Sequence, residues 1–123
     1  MSGEPVVVRA PYAERLRDRR LLLDRAARRL VEICASLGDV RAVYAFGSYA
    51  TETVRLHSDL DALVVRETAL RRADRDLAIR LAFDVSVGLD LIVVTPEEYE
   101  QVLPFTSFGQ TIVRMARRLD AAQ

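Results

Sequence analysis

The chain has 123 residues, half of them hydrophobic, with five Gly, four Pro and one Cys. That composition excludes a low-complexity or disordered chain and lies near the usual size of one domain, so a single domain over residues 1–123 is expected. Eighteen basic and eighteen acidic side chains cancel, which removes the general positive field of a nucleic-acid or anionic-membrane binder; any polyanion site must be local, and no direct nucleic-acid contact is expected.

Every basic residue is Arg, and Lys and Asn are absent, so phosphate contacts have to come from guanidinium forks, hydroxyls or backbone amides. No apolar run approaches the ~20 residues that cross a bilayer, and the opening MSGEPVVVRAPY lacks the apolar stretch of a secretion signal. A cytoplasmic protein with no membrane partner is predicted. Cys34 stands alone among apolar residues in a helical pattern and reads as a reduced, buried thiol.

In chain order, Tyr12 to Leu37 carries Leu16, Leu23, Ala26, Ala27, Leu30, Ile33, Cys34 and Leu37 at helical spacing, with Gly38 as the stop. The arginines of this helix alternate with Glu14, Asp18, Asp24 and Glu32, which marks a solvated face and not an RNA-binding one. VRAVYAF, Val40 to Phe46, is β-branched and aromatic and ends at Gly47, so it reads as a strand. SYATETV is short and mixed and is expected to form a brief helix opened by Ser48. DLDALVV, Asp59 to Val65, is the next strand, with Asp59, Asp61 and Leu63 on one face and Leu60, Ala62 and Val64 on the other.

From Glu67 to Phe83 the apolar positions Leu70, Ala73, Leu77, Ala78 and Leu81 predict a second amphipathic helix. LDLIVV, Leu89 to Val94, is a third strand, followed by TPEE, where Thr95 caps a helix that opens on Pro96. A last helix is predicted from Ser107 to about Leu119, with Phe108, Ile112, Met115, Ala116 and Leu119 inward. The order specifies an α/β or α+β domain: a small mixed β-sheet flanked by helices.

The chemistry lies on the middle strands. Carboxylates at i and i+2 of a strand stand about 6–7 Å apart and repel when both are ionised, unless a cation lies between them. Mg²⁺ takes oxygen ligands, one or two carboxylates together with phosphate oxygens and water, which suits an Asp-x-Asp pair acting on a nucleotide. Asp90, with apolar neighbours on both sides, is the candidate third acid, and the apolar flanks make an unpaired charge there costly. Asp84 is the competitor, ranked second because it precedes the continuous strand pattern. Gly47 lets the backbone approach a ligand, and the amides of the following turn, with the Ser48 hydroxyl, can cradle phosphate oxygens. A Gly-Ser pair alone carries little weight. Joined to Asp59-Leu60-Asp61 and a third acid on a following strand, it becomes a specific signal.

The pattern FGSYA, HSDLDALVV and LDLIVV resembles the nucleotidyltransferase superfamily of DNA polymerase β type, and within it the minimal nucleotidyltransferases. The resemblance runs from about Leu30 to the C-terminal helix. It implies the nucleotidyltransferase fold, with Asp59, Asp61 and Asp90 as the catalytic, metal-binding acids, and Gly47 and Ser48, with Ser58 beside the acids, on the nucleotide. Two Mg²⁺ ions and ATP are the implied cofactor and substrate. Minimal members are commonly the MntA-like antitoxins of HEPN/MNT toxin–antitoxin pairs. The implied activity is therefore transfer of AMP from ATP to a tyrosine of a HEPN ribonuclease toxin, in a hetero-oligomer with that toxin.

One departure from the resemblance stands out. Many members read Gly-Ser-x-Ala-Arg-Gly, whereas this chain has Thr51 and Glu52 in place of Arg and Gly. A lost arginine removes a charge-assisted phosphate contact worth roughly 1.5–3 kcal/mol, which Arg55 is close enough in sequence to replace. Two other readings follow: an antitoxin that occludes its toxin without catalysis, and a small-molecule nucleotidyltransferase of aminoglycoside type, the latter weakened by the lack of an obvious second domain. His57 reads as a solvent-facing or capping loop residue, and Tyr44, Tyr49 and Tyr99 as packing residues.

Overall fold

A computed structural model of the chain describes residues 11–121; residues 1–10 of the N-terminal stretch read above for a secretion signal lie outside them. Helix α1 runs unbroken from Tyr12 to Leu37 and buries the predicted stripe Leu23, Ala26, Ala27, Leu30, Ile33 and Cys34. Three strands follow at the predicted places: β1 (Val40–Phe46), β2 (Leu60–Arg66) and β3 (Leu89–Val94). Helix α2 (Gly47–Thr51) joins the first two, and α3 (Leu77–Ala82) precedes the third. Helix α4 (Pro96–Gln101) opens with a full capping box between Thr95 and Glu98 and Pro96 in its first turn, as TPEE predicts. Helix α5 (Ser107–Met115) and a two-residue strand β4 (Arg117–Arg118) complete the chain.

The sheet is mixed and four-stranded, in the order β3-β2-β1-β4. β1 is antiparallel to β2 and β4, and β3 is parallel to β2. Period-two alternation splits the central strands between two cores. Leu60, Ala62 and Val64 pack with Leu91, Val93 and the buried stripe of α1 on one face. Leu63 and Val65 pack with Val94, Ile112 and, more loosely, Ile92, Tyr99 and Leu103 on the other. Both faces are covered, and the mostly antiparallel, mixed pairing of the sheet makes this an α+β domain. Among the described residues no helix is long and apolar enough to cross a membrane.

Two predicted helices are shorter than their sequence pattern. Of residues 67–83, only a 3₁₀ turn (Arg72–Asp74) and α3 are helical. The supposed inner positions Leu70, Leu77 and Leu81 are 45%, 56% and 78% exposed. The segment is held instead by two buried guanidiniums. Arg66 bonds Asp39 at 2.9 Å and the Arg75 carbonyl at 2.8 Å, and Arg75 bonds Glu98 at 2.7 Å and the Leu70 carbonyl at 3.1 Å. Helix α5 stops at Met115 because the chain turns extended at Ala116 and joins the sheet, pairing Arg117 with Ala45 and Arg118 with Tyr44. Phe108, predicted inward, is 61% exposed.

Candidate active site

The central strand β2 is buried at every position except Asp61, which is half-buried. Register places Asp61 opposite Phe46 at the end of β1 and opposite Asp90 on β3. The site is therefore built where three strands end side by side. Asp59 lies one residue before β2 and not within it, at a turn where the Leu60 amide donates to the Gly88 carbonyl at 2.9 Å.

Gly47 is where the chain leaves β1 for α2, and its φ of +71° is one that side chains rarely adopt. A Cβ there would lie 2.1 Å from Asp61 Oδ2. The glycine is thus the wall against which the Asp61 carboxylate rests. Gly88 does the same for Asp59: a Cβ would lie 2.5 Å from its Cγ. The Gly88 role escaped the sequence reading, although a glycine two residues before Asp90 is its visible signal.

Asp61 and Asp90 stand opposite each other in the register of β2 and β3. Burial first, then the hydrogen bond to Asp90 and the charges of Asp90 and Asp59, push the Asp61 carboxyl up from 3.8 to about 6. Asp90 itself is exposed. This corrects the expectation that buried flanks make its charge costly, since the cost falls on Asp61. Asp84 stands apart from this group: it is exposed and bonded to Arg29 at 2.8 Å, whose guanidinium holds its carboxyl below the usual range.

Among the described residues no three acid, imidazole or thiol groups close into a ready-made metal cage. Hard carboxylate oxygens on Asp61 and Asp90, set opposite each other by strand register, are nonetheless the donor set that Mg²⁺ takes when substrate phosphates and water complete its shell. The fit is to a metal that arrives with its nucleotide.

The turn around the acids is organised by hydroxyls. The Ser48 hydroxyl donates to Ser58 Oγ at 3.0 Å, and Ser58 Oγ accepts from the Arg55 amide at 2.7 Å. Ser48 and Ser58 therefore meet, ten residues apart in sequence. The short helix α2 is anchored from behind by Tyr49, a buried residue whose hydroxyl donates to Asp24 on α1 at 2.5 Å and whose ring lies under the Arg117 guanidinium at 4.8 Å. Burial and the bond to Asp24 push its phenol up to about 12. His57 is exposed, in a surface cavity with Arg15, Asp18 and Arg19. Tyr44 and Tyr99 stack on each other with ring centroids 5.6 Å apart.

The departure at Thr51 and Glu52 has a backbone explanation. Glu52 caps α2 in the left-handed conformation, φ 61° and ψ 37°, the only non-glycine residue with positive φ among the described residues. Glycine is favoured at such a helix end because a Cβ strains it. Glu52 lines a cavity of about 190 Å³ with Arg20, Asp24, Tyr49, Val54 and Arg117, a set that contains none of Asp59, Asp61 and Asp90. Thr51 turns its hydroxyl to the Gly47 carbonyl at 3.2 Å and to Thr53 at 2.8 Å. We expect Glu52→Gly to raise stability by about 1 kcal/mol, seen as a higher urea midpoint at unchanged slope.

Residues 27–116 match the family model described as "Nucleotidyltransferase domain". The chain belongs to that family. Its match takes in Gly47, Ser48, Asp59, Asp61 and Asp90. No curated protein matches the chain. Among solved structures, a Sulfolobus solfataricus protein provisionally assigned as a nucleotidyltransferase is 21% identical, covering 92% of this chain and 90% of its own, with a TM-score of 0.60. It shares the fold. A toxin–antitoxin structure with AMP-PNP is 23% identical over 85% of this chain and 74% of its own, and a mutant MntA-HpeT toxin–antitoxin is 24% identical over 87% and 73%; both have a TM-score of 0.47.

Proposed function

We propose that this nucleotidyltransferase-family chain is a Mg²⁺-dependent adenylyltransferase that moves AMP from ATP to a tyrosine hydroxyl of a HEPN ribonuclease toxin, and so acts as that toxin's antitoxin. The observation that carries the chemistry is the placement of Asp61 opposite Asp90 in strand register and against Gly47 at the mouth of the Gly47–Ser48 turn. The choice of partner rests on the likeness of the Gly-Ser, Asp-x-Asp and third-acid pattern to the minimal nucleotidyltransferases. Cytoplasmic residence follows from that role.

In this reading the backbone amides of the Gly47–Ser48 turn and the Ser48 and Ser58 hydroxyls hold phosphate oxygens. Asp59, Asp61 and Asp90 supply carboxylates to the metal, and Asp90 faces the incoming hydroxyl. Mg²⁺, when bound, neutralises the phosphates and the three acids together and favours the in-line displacement at the α-phosphorus. No covalent enzyme intermediate is required.

The test is transfer of label from ATP, labelled at the α-phosphate, to the purified toxin in the presence of Mg²⁺. Asp59→Asn and Asp90→Asn are each expected to reduce the initial rate by about 100-fold or more. Undiminished labelling in both variants would sink the assignment. An Asp59→Asn protein that no longer labels the toxin but still protects cells from it would point to occlusion instead.

A further inference from the structure

Strand β3 is an edge of the sheet, paired on one side only, with β2. An edge strand presents a row of backbone groups that no neighbouring strand satisfies. Asp90 is the second residue of this strand, and it is exposed. Asp61 rests against Gly47 and Asp59 against Gly88. The aim of Asp90 depends instead on how the backbone from Leu89 to Leu91 is held.

Arg80 holds it. Its Nη1 donates to the Leu89 carbonyl at 3.1 Å and its Nη2 to the Leu91 carbonyl at 3.4 Å. These are the carbonyls one residue to either side of Asp90. Two residues apart on a strand, they point the same way, and a planar guanidinium fork can span them where a point-charge ammonium cannot. The remaining donor, Nε, bonds Asp76 at 2.5 Å, four residues earlier, which fixes the plane of the fork. Arg80 is also set firmly at its root, because its neighbour Ile79 is fully buried in the core beneath α1. One side chain thus links the core, through α3, to the main chain on both sides of the third acid.

We propose that Arg80 is a positioning residue for Asp90, pinning the stretch of β3 backbone from which that carboxylate reaches a metal. The inference rests on the transfer reading above, in which Asp90 is a metal ligand, and it adds a residue that acts through Asp90 alone. The competing role is a cap that only blunts the open sheet edge against pairing with another chain. The two roles differ in what they do to the metal.

The test uses the whole chain with Mn²⁺ and α,β-methylene-ATP, whose α,β bridge is not cleaved, and reads bound Mn²⁺ by electron paramagnetic resonance. Arg80→Lys keeps the charge and loses the fork, and Arg80→Gln loses both. Each is expected to weaken Mn²⁺ by about tenfold, the size of one charge-assisted hydrogen bond. Added to Asp90→Asn, Arg80→Lys is expected to cost nothing further, because the residue it acts through is already gone. A loss of fold stability alone would weaken Mn²⁺ equally in both backgrounds, and that result overturns the positioning role. Wild-type Mn²⁺ binding in Arg80→Lys overturns it as well, leaving the guanidinium as a charge or an edge cap; this variant decides the matter if Arg80→Gln does not fold. Mn²⁺ binding that is absent from the wild type, or equal in wild type and Asp61→Asn, overturns the transfer reading itself, and the positioning role with it.

Discussion

Asp61→Asn is expected to abolish nucleotidyl transfer while making the metal-free protein more stable at pH 8. The folded-state pKa of Asp61 is raised, from 3.8 to about 6. A raised value means that the folded chain binds this proton more tightly than the unfolded one. Its contribution to stability is therefore fully present below about pH 3.8 and is lost as pH rises through about 6. Above that window the half-buried carboxylate is ionised beside Asp90 and near Asp59, and the fold bears first the cost of burying the charge and then the repulsion. A rise of that size corresponds to about 3 kcal/mol for a fully shielded group, and partial exposure of the carboxyl reduces this to about 1–2 kcal/mol.

Asparagine fills the same space without the charge, so at pH 8 the variant should melt higher than the wild type, and at pH 4 the two should converge. Mg²⁺ with a nucleotide should reverse the order at pH 8, because only the wild type gains stability from ligand binding. Thermal melts at both pH values, with and without Mg·ATP, give all four results. A metal-free Asp61→Asn protein that melts below the wild type at pH 8 would show that neither burial nor the neighbouring acids make the ionised Asp61 costly to the fold.

Most of this arrangement could be read from residue order. The strands β1, β2 and β3 announce themselves by β-branched runs, and two acids at the head of the β2 run conflict with burial strongly enough to single out Asp59 and Asp61. Periodicity fails where charged residues do the packing. Arg66 and Arg75 are buried, and each satisfies backbone carbonyls as well as a carboxylate. A segment organised that way can leave Leu70, Leu77 and Leu81 at the surface, and a helical spacing of leucines then predicts a helix that the chain does not form. The pairing of Arg117 and Arg118 with β1 is equally hidden, because Met-Ala-Arg-Arg-Leu has the pattern of a helix end and its partners lie some seventy residues earlier. Asp90 shows the limit at the site itself: its sequence neighbours locate it correctly on β3, but only strand register shows that it stands opposite Asp61.

Gly47→Ala tests whether the Gly47–Ser48 turn and Asp61 are one structural unit. The substitution carries a backbone cost, because an L-residue at φ +71° costs roughly 1–2 kcal/mol. It also carries a steric cost, because the new Cβ would meet Asp61 Oδ2 at 2.1 Å and Cγ at 3.0 Å. Asp61 stands in the central strand between Phe46 and Asp90, so its carboxylate has little room to swing aside. The total loss of stability should be about 2–3 kcal/mol, with loss of the Mg·ATP thermal shift. Made in an Asp61→Ala background, the same change meets no carboxylate and should cost only the backbone part. The difference, a coupling of about 1 kcal/mol, is measurable by a double-mutant cycle in urea. Strict additivity would mean that the carboxylate moves away freely, and Gly47 would then be a turn residue only, with no part in aiming Asp61 at the nucleotide.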